Sequence, residues 1–73
     1  MNASFWNRLV RQAQATLSEG ALDIILELVD RVDSQTEIID LIYVLEDGEA
    51  LRDLGFNNQR DVEEAYGFLE DYL

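Results

Sequence analysis

The chain reads as all-α: a small four-helix bundle, three long helices plus short helical turns, and dimeric. Three observations carry that expectation. Apolar residues recur at three- and four-residue spacing through most of the sequence. Proline is absent, so no helix interior is interrupted. Ser, Asn and Gly stand where the periodic stretches begin and end. At 73 residues the chain is a single domain, residues 1–73, and its 48% hydrophobic content argues against disorder despite the charge.

The first helix is expected over residues 4–17. Phe5, Leu9 and Ala13, with Trp6, Val10 and Leu17, make one broad apolar face, while Asn7, Arg8, Arg11, Gln12 and Gln14 face outward. Two arginines are too few for a helix that seeks a membrane surface, so this face is expected to pack on the rest of the chain. The second helix spans residues 19–32, with Ser18 as its cap or Thr16 and Glu19 as a capping box. Its polar stripe holds only Asp23, Glu27, Asp30 and Arg31, so most of its sides should be covered. Ser34-Gln35-Thr36-Glu37 fits the S-x-x-E capping box and opens a third helix through Ile38, Ile39, Leu41, Ile42, Val44 and Leu45, with Glu37 and Asp40 on the wet side. A link of about two residues would make the second and third helices an antiparallel hairpin. Gly48 ends that helix or begins the next turn. A short helix over residues 49–54 stops at Gly55, with Phe56 placed for a Schellman-type end. Asn57 or Asn58 caps the last helix, whose apolar positions are Val62, Ala65, Tyr66, Leu69, Tyr72 and Leu73. Two helices apolar nearly all round exceed what one small bundle covers, and a second copy of the chain is the expected cover, making a homodimer.

Charge is the most informative feature. Sixteen acids stand against five basic residues, all arginines, for a net charge of −11. Residues 1–18 hold Arg8 and Arg11 and no acid. Residues 19–73 hold all sixteen acids and three arginines, a net −13. Such a field repels nucleic acid and anionic membrane and attracts basic protein surfaces. Cysteine and histidine are both absent. That excludes disulfides, thiol nucleophiles, thiolate zinc sites, haem ligation by His or Cys and the commonest general base. Glu46-Asp47-Gly48-Glu49 lacks the spacing of a calcium loop, so no metal and no cofactor is expected. No signal peptide is visible and acids break every long apolar run, which points to a soluble, cytoplasmic protein with no membrane contact.

The acids fall in rows: Asp23, Glu27 and Asp30; Glu37 and Asp40; Glu46, Asp47 and Glu49 about Gly48; Glu63, Glu64 and Asp71 along the last helix, with Asp53, Asp61 and Glu70 in the last two rows but outside the expected partner-binding set. Carboxylates four residues apart on a helix rise by about 6 Å. Duplex phosphates advance about 3.4 Å per strand. The likeness is in sign and regularity rather than in repeat. Phe68, off the main apolar stripe and beside Glu64 and Asp71, is a candidate interface anchor. These residues make up the expected partner-binding set.

Asp33-Ser34 at the head of a helix, in a short, acidic, all-helical chain, resembles the acyl or peptidyl carrier proteins. Their phosphopantetheine serine sits in an Asp-Ser-Leu motif, and the resemblance implies attachment at Ser34. The chain departs from that motif at Gln35, and residues 21–32 form an apolar segment where carriers have a long loop. As a helix cap, Ser34 is explained without the resemblance. The expected function is therefore that of a non-catalytic inhibitor or regulator. It would lay acidic helix faces on a basic, nucleic-acid-binding surface of a partner protein, as nucleic-acid mimics encoded by viruses and mobile elements do against host defences. The alternatives are an acidic adaptor or assembly protein with a merely solvated surface, and the carrier.

Overall fold

The computed structural model describes residues 2–73. Among them are five helices and no strand: α1 (Ala3–Thr16), α2 (Glu19–Val29), α3 (Ile38–Glu46), α4 (Gly48–Asp53) and α5 (Gln59–Glu70). The all-α expectation holds. Helices α2 and α5 form the central pair; α1 lies along α2, α3 lies along α5, and α4 packs on α3.

Each helix begins where a side chain meets the free amides of its first turn. Asn2 Oδ1 accepts the Phe5 amide at 3.0 Å, and α1 follows. Asp47, the one residue between α3 and α4, accepts the Glu49 and Ala50 amides at 3.1 and 3.3 Å, so Gly48 begins α4. Asn58 accepts the Arg60 and Asp61 amides at 3.0 and 3.2 Å and starts α5. The end of α4 is a Schellman motif. The Phe56 amide donates to the Leu51 carbonyl at 2.9 Å and the Gly55 amide to the Arg52 carbonyl at 3.0 Å. Gly55 has φ +88°, a conformation that glycine adopts without a Cβ clash.

The core runs through all five helices. Trp6, Leu9 and Ala13 of α1 meet Ala21, Ile24, Ile25 and Leu28 of α2. Ile38, Leu41, Ile42 and Leu45 of α3, Leu51 of α4, and Val62, Ala65 and Leu69 of α5 complete it. Burying each large aliphatic side chain contributes about 1.5–3 kcal/mol. Among the described residues no polar or charged residue is buried. The indole Nε1 of Trp6 is buried without a hydrogen-bond partner, which costs about 1–3 kcal/mol of desolvation.

Three expectations are corrected. Helix α3 starts at Ile38, and Ser34 is not its cap. Asp33 instead folds 33–36 into an Asx turn, its Oδ1 accepting the Gln35 amide at 2.8 Å and the Thr36 hydroxyl at 3.1 Å. Glu37 takes the N-cap position, and its amide donates to Asp40 Oδ2 at 2.8 Å. The second correction follows from the first. Helix α2 ends at Val29, so eight residues (30–37) separate it from α3, and α3 turns away to α5 and α4. The expected hairpin does not form. The third concerns Ser18, which stands at the N-cap of α2 but makes no side-chain cap there. Thr16 does not serve either: its hydroxyl donates back to the Gln12 carbonyl at 2.8 Å.

Most of the apolar surplus of α2 and α3 is absorbed within one chain. Leu22, Val29, Ile39 and Val44 are half-buried against the core. Among large apolar residues outside it, Leu26 is 37% exposed, Tyr43 61% and Leu73 72%.

Candidate protein-binding surface

Helix periodicity places the acids outward. Asp23 and Asp30 of α2, Glu37, Asp40, Glu46, Asp47 and Glu49 about α3 and α4, and Glu63 and Asp71 of α5 are exposed. Glu27, Glu64 and Phe68 are half-buried. Among the described residues one ion pair forms, Arg31 Nη1 to Glu27 Oε1 at 2.7 Å, one turn apart on α2. Arg8 and Arg11 line a shallow depression on the outer face of α1 with Ser4 and Asn7, and among the described residues they pair with no acid. The opposed charges of the two chain segments are therefore not cancelled by contact.

The acids divide by what they already do. Asp47 caps α4 and Asp40 closes back on Glu37. Glu46 accepts a long hydrogen bond from the Tyr66 hydroxyl at 3.4 Å, and Glu63 one from Gln59 at 3.4 Å. Glu64 is held most firmly. Its Oε2 accepts the Ser18 amide at 2.7 Å and its Oε1 the Ser18 hydroxyl at 2.9 Å. A carboxylate of α5 thus closes the N-terminus of α2, where the helix dipole favours negative charge. Asp61, one turn earlier on α5, rests its carboxylate against Gly20 of α2, so a Cβ there would displace the end of that side chain. Among the described residues, the carboxylates of Asp23, Asp30 and Asp71 meet no hydrogen-bond or ion-pair partner and are open to a partner protein. Asp23 and Asp61 line one shallow depression with Gly20, Phe56 and Asn57.

Phe68, the candidate anchor, is half-buried against the core. It packs edge-on to Tyr72, with ring centroids 5.4 Å apart, and Tyr72 packs on Phe5 at 5.9 Å. Phe68 and Tyr72 line a groove of about 450 Å³ between the last turns of α1 and α5. Sequence reasoning missed this groove and the Ser18–Glu64 contact, because both join residues far apart in the chain. Ser34 is exposed in the 33–36 turn, four positions ahead of α3.

Among the described residues two groups are shifted from their ordinary values. The Gln35 amide and the Thr36 hydroxyl hold the Asp33 carboxyl below 3.8. Tyr66 is raised above 10.0, first by desolvation of its ring and then by the negative charge of Glu46 and Glu70. A phenol whose pKa is raised on folding contributes stability that is full below pH 10 and lost as pH rises through the shifted value. Tyr66→Phe is therefore expected to move the alkaline unfolding midpoint, followed by far-ultraviolet circular dichroism, to higher pH. An unchanged midpoint would show that Tyr66 ionisation does not drive alkaline unfolding.

No protein-family model matches this chain, and no match is found among curated proteins or solved structures. Among the described residues, no group of three or more acids gathers as metal ligands would, and no helix is long and apolar enough to cross a membrane.

Proposed function

We propose that this protein is a non-catalytic inhibitor or regulator that lays acidic helix faces on a basic, nucleic-acid-binding surface of a partner protein. One observation carries the reading: sixteen carboxylates face five arginines, with a single internal ion pair among the described residues. An exposed carboxylate without a partner gives its full field to whatever approaches, and the summed field sets both sign and steering of encounter. The α2 row of Asp23, Glu27 and Asp30 is the centre of the proposed surface. Glu37, Asp40, Glu46, Asp47, Glu49, Glu63, Glu64 and Asp71 extend it, and the last of these leads to Phe68. The mimicry is of charge, in the manner of an anti-defence protein acting in the cytoplasm. The adaptor with a solvated surface and the carrier reading are the rivals. The placement of Ser34 in a turn, and not at the first turn of a helix, favours the mimic over the carrier.

Competition tests the reading. A protein retained by the immobilised chain at low salt and released at high salt should lose labelled nucleic acid when the chain is added. A retained protein that holds the chain and its nucleic acid together overturns the proposal.

A homodimer is part of the same proposal, with Leu26 of α2 and Tyr43 of α3 as the apolar residues that a second copy would cover. Light scattering at micromolar concentration is expected to give twice the 8.4 kDa chain mass. A monomer mass at every accessible concentration removes the dimer and leaves the charge reading standing.

A further inference from the structure

The groove between α1 and α5 has a composition that the charge reading alone does not explain. The last turn of each helix lines it: Gln12 and Thr16 from α1, and Phe68 of α5, followed by Asp71 and Tyr72. Neither last turn holds a basic residue. A helix C-terminus carries about −0.5 of an elementary charge, felt within its last turn. The C-terminal turn of α1 lies at one end of the groove, where Ser18 meets Glu64, and that of α5 at the other, where Tyr72 packs on Phe5, and among the described residues no arginine lines it. Asp71 adds a carboxylate with no hydrogen bond or ion pair of its own. Glu64 adds a second at the groove wall, fixed in place by Ser18. Phe68 and Tyr72 supply half-buried rings set at 63° to each other. The volume, about 450 Å³, lies within the roughly 300–1,000 Å³ of ligand clefts.

We propose that this groove receives an arginine side chain presented by a basic partner protein. A guanidinium has a flat face to lay on an aromatic ring and a fork of donors to meet a carboxylate. An ammonium has neither and holds its water more strongly. The groove thus distinguishes arginine from lysine, which a diffuse acidic surface does not. The proposal deepens the reading of a basic partner, and it does not depend on that partner binding nucleic acid.

The test uses the full chain and two synthetic peptides of equal length and charge, one carrying arginines and the other lysines, titrated calorimetrically at physiological salt. The arginine peptide is expected to bind about three-fold or more tighter. Phe68→Leu should erase that preference. Asp71→Asn should weaken the arginine peptide about five-fold. Asp53→Asn removes the same charge from α4, outside the groove, and should change it less than about two-fold. Equal binding of the two peptides to the parent overturns the proposal, as do equal losses in Asp71→Asn and Asp53→Asn. If Phe68→Leu does not fold, the two Asn variants decide alone. Peptide selectivity and nucleic-acid competition are separate measurements, so the failure of either leaves the other result standing.

Discussion

Ile25→Asp is expected to leave the chain unfolded at room temperature. Ile25 is fully buried on α2, the helix that lies between α1 and α5, and its neighbour Ile24 is 1% exposed. Truncating a buried isoleucine costs about 2–5 kcal/mol. Placing a carboxylate there without a partner costs several kcal/mol more, or forces it to take up a proton. A domain of 73 residues has roughly 4–11 kcal/mol of stability in all. The substitution imposes a cost of that size at one position. Leu26→Asp, one residue along the same helix, starts from a side chain already 37% exposed and should cost about 1 kcal/mol or less. Thermal melts followed by circular dichroism, at a concentration where light scattering finds the single chain, separate the two: no cooperative transition for Ile25→Asp, a near-parental one for Leu26→Asp. A cooperative melt of Ile25→Asp close to the parent would mean that α2 is not the centre of the core.

The contrast between adjacent residues shows what was legible from sequence. Apolar periodicity is a local signal, and it located all five helices and faced Leu9, Ile25 and Leu69 inward and Asp23 and Asp40 outward. The stop at Gly55 was equally legible, since only the sequence around it decides a Schellman end. The head of α3 was not. Residues 34–37 and 37–40 both offer a polar residue followed three positions later by an acid, and local side-chain bonds compete for the same amides. Asp33 decides between them by engaging Gln35 and Thr36, which moves the cap to Glu37. The longer connection then sends α3 to α5, a long-range outcome with no local mark. The same limit applies to the candidate surface. Periodicity says which carboxylates face water, but only the fold shows that Glu64 is already engaged by Ser18, 46 positions away, while Asp23, Asp30 and Asp71 are not engaged.

Reversing Asp23, Glu27 and Asp30 to lysine is expected to abolish partner binding, a loss of roughly a hundredfold or more, while the fold survives. The fold should survive because none of the three holds the core. The side chains of Asp23 and Asp30 make no hydrogen bond or ion pair among the described residues. Glu27 pairs with Arg31 in a surface pair, both side chains about half exposed, and an exposed pair one helical turn apart contributes about 0.3–0.5 kcal/mol. Asp30 sits at the C-cap of α2, where a lysine suits the helix dipole better than a carboxylate does. Binding should fail because each reversal replaces an attraction with a repulsion, and like charges set against one another across an interface cost several kcal/mol. The loss should also be steepest at low salt, since exposed charges are screened over about 8–10 Å near physiological ionic strength. Three reversals also change the net charge, so a second variant is needed. Reversing Glu19, Asp53 and Glu70 alters the total equally at positions outside the proposed surface. Binding of that variant should weaken far less. If the two triple variants lose binding equally, the interaction reads total charge, and α2 is not its site. If the α2 variant binds as well as the parent, the acidic face is a solvated surface, and the adaptor reading takes the place of the mimic.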